Sequence, residues 1–241
     1  HQSYPYIILY SIVKIFQENK YLYMRNKRQT RSRVKAETRE IIDETFIDPW
    51  DNPNPIKRVI KVKQFAWTDK QKDFFKIALN HDTKIVFVNG PAGTAKTLLS
   101  VYCGLQLLNM KAISDIMYLR SAVESSDSKL GYLPGTAEDK LRFYNMPLLE
   151  KIDELLPTTR AEKLEQEGRI SMFPVNFARG MNWTNKCVVL DEAQNSSMKE
   201  ITTVLTRLGK GSRCFVLADP MQTDLKGNMA CGGFESMFNT F

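Results

Sequence analysis

The feature that most constrains the fold of this chain is a short apolar run that leads straight into a glycine-containing loop. Lys84–Asn89 (KIVFVN) is continuously apolar and β-branched, which predicts a strand buried on both faces. Gly90–Thr97 (GPAGTAKT) follows at once, and the apolar segment Leu98–Leu108 then predicts a helix. A strand, a tight loop and a helix in this order indicate a unit of an α/β fold.

Strand-like and helix-like apolar patterns alternate along the rest of the chain. They predict further strands at Ile113–Leu119, Cys187–Leu190 and Arg213–Leu217, and helices at Thr68–Leu79, Asp139–Leu156 and Lys199–Leu208. Strands that alternate with helices are joined by right-handed crossovers, which gives a mainly parallel sheet with helices on both faces. The predicted fold class is therefore α/β with three layers.

The loop fits the phosphate-binding pattern G-x-x-x-x-G-K-[ST] except at Ala95, where the pattern has glycine. Such a loop surrounds phosphates with backbone N–H groups at a helix N-terminus. The expected nucleotide-binding residues are Gly90, Pro91, Ala92, Gly93, Thr94, Ala95, Lys96 and Thr97. Lys96 is also a candidate catalytic residue that reaches the outer phosphates, and Thr97 is a candidate Mg²⁺ ligand. An alanine at 95 is tolerated in a helical conformation and costly at positive φ. The alternative is a turn that binds nothing.

Two acidic residues end the apolar run Lys186–Glu192 (KCVVLDE). An aspartate in this place can hold Mg²⁺, and a neighbouring glutamate can polarise water as a general base. Asp191 is therefore the expected metal ligand and Glu192 the expected catalytic base. The alternative is that the two carboxylates only cap a following helix. The phosphate-loop pattern upstream favours the nucleotide-binding interpretation.

The strand Arg213–Leu217 runs into Ala218–Gln222 (ADPMQ). A polar residue at the carboxyl end of a strand beside the acidic strand can sense the terminal phosphate of a nucleotide. Gln222 is the candidate for this catalytic role, because its amide can donate to phosphate and accept from water. The alternative is an Asp-Pro turn whose polar side chains lie in solvent.

Composition and charge restrict the class of protein and its partners. The net charge of +7 and the pI near 9.1 favour an acidic partner, with nucleic acid as the first candidate. The four cysteines form no C-x-x-C pair and lie far from the two histidines, which argues against a disulfide framework or a zinc site. No apolar run reaches the roughly 18 residues of a membrane span. We expect a soluble protein of the cytoplasm without a membrane partner.

The N-terminal part of the chain differs from the remainder. Between Lys20 and Arg39 there are eight basic residues and one acidic residue, which fits a solvated arm and a nucleic-acid contact equally well. Prolines then predict a linker. We divide the chain into a basic arm with its proline-rich linker at 1–56 and a nucleotide-binding domain at 57–241. Residues 1–23 need not be native, since Met24 opens a different composition.

Five sequence motifs together resemble those of a known family. GPAGTAKT, LRSAVESSDSKLGYLPG, VVLDEAQN, LTRLGKGS and ADPMQTDL follow one another in the order typical of the PhoH family, particularly its phage-type members. That family is named after phosphate starvation and is similar to the ATPase half of superfamily-one helicases. The resemblance implies a RecA-like P-loop NTPase with ATP and Mg²⁺ as cofactors and RNA as the favoured nucleic acid. It places a phage-encoded member in the host cytoplasm.

The resemblance also implies roles for three further residues. Thr68-x-x-Gln71 is similar to the helicase Q motif, which puts Gln71 on the adenine edge of ATP. Arg120 opens the segment that follows the second strand in this family, and it is a candidate nucleic-acid contact. Arg207 resembles the arginine of the family's T-R-I/L-G motif and is a candidate arginine finger or sensor in a homo-oligomeric ring. A surface cation at a helix end is the alternative for Arg207.

The leading hypothesis is an ATP hydrolase that acts on or with RNA. The alternative is a nucleotide-gated module that binds RNA or protein with little turnover. A packaging motor shares the nucleotide motifs, but this chain has no room for the nuclease domain of that class. A small-molecule kinase would need an arginine-rich lid, which is not evident. The family's core continues into a further strand and helix, so we expect this chain to be truncated at its C-terminus.

Overall fold

A mixed sheet with helices on both faces forms the protein, which a computed structural model describes for residues 8–11, 52–120, 137–157, 160–219, 221–222 and 233–240. The strands are β1 (Ile8–Ser11), β2 (Ile85–Asn89), β3 (Asp115–Arg120), β4 (Ile170–Pro174), β5 (Lys186–Asp191) and β6 (Arg213–Ala218). The helices are α1 (Asp69–Ala78), α2 (Lys96–Asn109), α3 (Ala137–Leu155), α4 (Arg160–Gln166), α5 (Met198–Leu205) and α6 (Gly233–Thr240). Short 3₁₀ helices span Val175–Ala178 and Ala193–Asn195.

The strand order brings three functional loops to one edge of the sheet. The order is β1-β2-β6-β5-β3-β4, with β1 antiparallel to β2 and the other five strands parallel. Strand β6 therefore separates β2 from β5, and the carboxyl ends of all three are neighbours. Ligands of open parallel sheets bind outside such carboxyl ends. The predicted parallel α/β fold is confirmed.

Alternate residues of the central strands face two separate apolar cores. Val86 and Val88 of β2 pack in one core with α1, α2 and α3, whereas Phe87 packs in the other with α5 and α6. Helix α2 is buried over most of its length, since it lies between the sheet and α3. This alternation confirms the three-layer prediction. None of the helices in the described ranges is long and apolar enough to cross a membrane.

The sequence patterns missed two strands, β1 and β4, and two helices, α4 and α6. Strand β4 pairs only with β3 and ends at Pro174, as expected for an edge strand. Its burial alternates instead of forming the continuous apolar run that identified the inner strands. Helices α4 and α6 have seven and eight residues, which is too short for a clear helical period.

The described end of the predicted linker is packed against the domain. Ile56 and Ile60 are each 6% exposed within the core that contains α2. The guanidinium of Arg169 donates to the carbonyl oxygens of Asn54 and Ser114, both at 2.8 Å. The packed unit therefore begins at least as early as Asn52, before the boundary at residue 57 that the prolines suggested. The basic segment of the arm lies outside the described residues.

Backbone strain marks the point where the phosphate loop enters α2. Ala95 has φ 63° and ψ 22°, the left-handed conformation, and Gly93 has φ 78°. Glycine adopts this conformation freely, whereas a Cβ makes it cost about 1–2 kcal/mol. Alanine therefore replaces the glycine of the loop pattern at a position where its Cβ strains the backbone.

Replacing Ala95 by glycine should relieve this strain. We expect the free energy of unfolding of Ala95→Gly to equal that of the wild type or exceed it by up to about 1 kcal/mol, because relief of strain offsets the added flexibility of the unfolded chain. Ala92→Gly is the control: this exposed loop residue has no positive φ, and the variant should lose about 0.4–1 kcal/mol. Urea unfolding measures both, and equal losses would exclude strain at Ala95.

Candidate nucleotide-binding site

The predicted phosphate loop lies at the carboxyl edge of the sheet, beside the ends of β5 and β6. The backbone N–H of Gly90 donates to the carbonyl of Ala218 at 3.2 Å, which ties the loop to the end of β6. The Thr94 hydroxyl donates to the carbonyl of Pro91 at 2.7 Å and closes the loop on itself. The parallel order of β2 and β6 thus fixes the start of the loop before α2 begins.

The Lys96 ammonium folds over the loop that precedes it. Its Nζ donates to the carbonyl oxygens of Gly90 at 2.6 Å and Pro91 at 2.9 Å. Burial lowers the pKa of Lys96, and the charges of Asp219, Asp191 and Glu192 oppose that shift. The loop thus holds a half-buried cation at the N-terminus of α2, where phosphate groups are favoured.

A hydrogen bond joins the loop to the acidic strand. The Thr97 hydroxyl donates to Oδ2 of Asp191 at 2.9 Å, and the Tyr118 hydroxyl donates to the same oxygen at 2.7 Å. The backbone N–H of Glu192 donates to the other oxygen, Oδ1, at 3.0 Å. Asp191 is only 6% exposed, so these donors replace water around its charge. Burial and then the charge of Asp191 raise the pKa of Tyr118 well above its ordinary value.

Glu192 begins the loop after β5 and is held by a buried amide. It has φ 55°, a left-handed conformation, and its Oε2 accepts from Nε2 of Gln194 at 2.6 Å. Oε1 of Gln194 accepts from the backbone N–H of Asp219 at 3.0 Å, and its Nε2 also lies 3.3 Å from the carbonyl oxygen of Gln222. Gln194 therefore connects the loop after β5 with the loop after β6.

The structure brings the backbone of Gln222 to this network, while its side chain is exposed. The preceding residue Met221 is 90% exposed, so the loop after β6 opens to solvent beyond Asp219. The role of Gln222 as a phosphate sensor stays a prediction.

The residues assigned by resemblance lie in three different places. Arg120 ends β3 and pairs in register with Asp191, so it lies at the edge that carries the site. Arg207 follows α5, where its carbonyl accepts from the N–H of Trp183 at 2.9 Å. Among the described residues, its Nε is buried without a hydrogen-bond partner. Gln71 forms a capping box with Thr68 at the start of α1. Its side-chain oxygen therefore already has a hydrogen-bond partner within the protein, the backbone N–H of Thr68.

Two residues of the site escaped the sequence patterns. Gln194 stands two residues after Glu192, and its spacing within VVLDEAQN was the only available signal. Tyr118 belongs to an apolar strand, and only the register of β3 with β5 shows that its hydroxyl reaches Asp191. Sequence patterns give no such register between distant strands.

The oxygen donors of the site suit Mg²⁺. Thr97 supplies a hydroxyl and Asp191 a carboxylate, and Mg²⁺ prefers hard oxygen ligands. Mg²⁺ commonly uses one or two carboxylates together with substrate phosphates and water. The described residues contain no group of three or more His, Cys, Asp or Glu that could hold a metal by themselves. Thr97 and Asp191 are thus the two residues of this edge that could contribute ligands of that kind.

Comparison with known proteins gives matches across most of the domain. A family profile described as PhoH-like protein matches residues 63–241. A PhoH-like protein of Synechocystis is 36% identical over 167 residues, which cover 69% of this chain and 50% of that protein. A PhoH-like protein of Bacillus subtilis is 37% identical over 148 residues, which cover 61% of this chain and 46% of that protein.

A more distant relative carries a different name. Protein PhoH2 of Bacillus subtilis is 28% identical over 178 residues, which cover 70% of this chain and 40% of that protein. The chain thus spans half or less of the length of the curated relatives it matches. Because the family profile covers the phosphate loop, the acidic strand and all of the parallel strands, this RecA-like P-loop chain belongs to the PhoH-like protein family.

Proposed function

We propose that the protein binds ATP together with Mg²⁺ and hydrolyses the terminal phosphate. The observation that carries this proposal is the 2.9 Å hydrogen bond between Thr97 and Asp191, which joins the phosphate loop to the acidic strand. The side chains of both residues lie near Lys96, whose ammonium interacts with the charge of Asp191. A phosphate loop, a lysine and two magnesium ligands in one place are the recurring parts of P-loop phosphoryl transfer.

Each side chain has a distinct task in this proposal. The backbone N–H groups of the loop bind the phosphates, and Lys96 neutralises the outer ones. Thr97 and Asp191 would hold Mg²⁺, which supplies charge compensation on the phosphate oxygens when bound. Glu192 accepts the proton of the attacking water. Gln194 keeps the Glu192 carboxylate in place through its 2.6 Å hydrogen bond.

RNA is the proposed macromolecular partner. The net charge of +7 and the eight-to-one basic excess between Lys20 and Arg39 favour a polyanion. We place the protein in the cytoplasm, and a ring of several copies is the proposed assembly in which Arg207 would act between neighbours. The second candidate is a nucleotide-gated binding module, which shares the nucleotide site but turns over slowly.

Phosphate release by the whole chain with and without single-stranded RNA tests this function. RNA-stimulated release supports a coupled ATPase. Tight ATP binding with no release supports the gated module, and release that RNA does not change would remove RNA as the coupled partner. The stimulation should weaken as salt rises, with a logarithmic slope for single-strand binding of about −0.7 for each phosphate contact.

Replacement of the loop lysine should abolish nucleotide binding or turnover. We expect Lys96→Ala to retain its circular dichroism spectrum while ATP affinity or hydrolysis is lost, because the half-buried cation beside the phosphates is removed. Lys76→Ala removes an exposed lysine of α1 and is the matched control. Calorimetric titration measures binding. Wild-type affinity and turnover in a folded Lys96→Ala protein would contradict the phosphate-loop assignment.

Replacement of Glu192 by its amide should separate binding from hydrolysis. We expect Glu192→Gln to bind ATP but to hydrolyse it about 10²–10⁴-fold more slowly, because a glutamine cannot accept the proton from water. The amide oxygen of the new glutamine can still accept the hydrogen bond from Gln194, so the loop after β5 should keep its conformation. Glu165→Gln on the exposed face of α4 is the control. Single-turnover hydrolysis rates at saturating ATP measure the effect. Rates near those of the wild type would show that a residue other than Glu192 is the general base.

A further inference from the structure

Tyr118 is a buried residue of β3 whose only polar side-chain group points to the candidate metal ligand. The residue is 2% exposed, and its ring belongs to the core that contains α2. Its hydroxyl donates to Oδ2 of Asp191 at 2.7 Å. A buried tyrosine needs a partner for its hydroxyl, and this partner carries the charge on which metal binding depends.

The two oxygens of Asp191 are used unequally. Oδ2 accepts from both Thr97 and Tyr118, whereas Oδ1 accepts from the backbone N–H of Glu192. A carboxylate offers about four lone-pair positions, two on each oxygen. The donors of the described chain therefore fill Oδ2 and leave one position on Oδ1.

The orientation of Asp191 determines the orientation of the Thr97 hydroxyl. A threonine hydroxyl has one proton to donate and two lone pairs to offer. While its proton is donated to Oδ2 of Asp191, both lone pairs of Thr97 remain available to a cation. If the carboxylate turned partway about its Cβ–Cγ bond, Oδ2 would move away from Thr97, and the hydroxyl would lose the acceptor that directs its proton.

We propose that Tyr118 is a positioning residue, which orients the Asp191 carboxylate and through it the Thr97 hydroxyl for Mg²⁺. The inference rests on the proposed nucleotide function of the same site. Hydrogen-bond partners of metal ligands commonly set metal affinity in this way. A tyrosine with a purely structural role would support the fold and leave the Mg²⁺ dependence of nucleotide binding unchanged.

Tyr118→Phe removes the hydroxyl and keeps the ring in the core. The affinity of the whole chain for ADP and for a non-hydrolysable ATP analogue is measured in Mg²⁺ and in EDTA. We expect wild-type affinity in EDTA, and a gain in affinity from Mg²⁺ that is smaller by about 10–100-fold. Tyr102→Phe is the control, since this buried tyrosine of α2 packs against Trp67 and Phe75 and should keep the full gain.

A double-mutant cycle shows whether Tyr118 acts through Asp191. Asp191→Ala should itself remove most of the gain from Mg²⁺. Adding Tyr118→Phe to that variant should cause no further loss, because a residue that acts only through a partner has no effect once the partner is absent. Additive losses would overturn the positioning role.

The outcomes for the proposal and for the underlying function differ. If the wild type binds both nucleotides equally in Mg²⁺ and in EDTA, the proposed function fails and this inference fails with it. If the wild type depends on Mg²⁺ and Tyr118→Phe shows the same dependence, only the inference fails. Circular dichroism checks the fold, and Tyr118→Met, which also lacks the hydroxyl, is used if the phenylalanine variant does not fold.

Discussion

The hydrogen bond between Thr97 and Asp191 is the contact on which the rest of the site depends. It joins two residues 94 positions apart, one at the start of α2 and the other at the end of β5. That contact is possible because β6 lies between β2 and β5 and holds both in parallel register. The two apolar cores stabilise this strand order, and the order places a hydroxyl, a carboxylate and an ammonium together.

The parts of the fold that sequence predicted are those with a local signal. The stretches Ile85–Val88 and Cys187–Leu190 are continuously apolar, and both lie in inner strands of the sheet. Edge strand β4 lacks such a run, because one of its faces is only partly covered. The spacing of residues in the sequence indicated the loop, Asp191 and Glu192 as candidate site residues. It did not indicate Tyr118, since the hydrogen bond of that residue to Asp191 depends on a register between strands that no local pattern encodes.

Two non-glycine residues adopt the left-handed backbone conformation at the same edge of the sheet. Ala95 precedes α2 and Glu192 follows β5, with φ of 63° and 55°. Each such residue costs about 1–3 kcal/mol unless its surroundings enforce it. Ala95 packs against the core, and the side chain of Glu192 is hydrogen-bonded to Gln194. Strain held by neighbours in this way is common where a loop must present its backbone or a side chain to a ligand.

The side-chain amide of Gln194 can make its hydrogen bonds in only one of its two orientations. Its nitrogen donates to the Glu192 carboxylate, and its oxygen accepts from the N–H of Asp219. A half-turn of the amide would place its oxygen against the carboxylate and its NH₂ group against the N–H, so both hydrogen bonds would be lost. The group therefore holds the loop after β5 and the loop after β6 in one relative arrangement. A shift of either loop would therefore break a hydrogen bond to the other, so a single planar group couples the positions of the two loops.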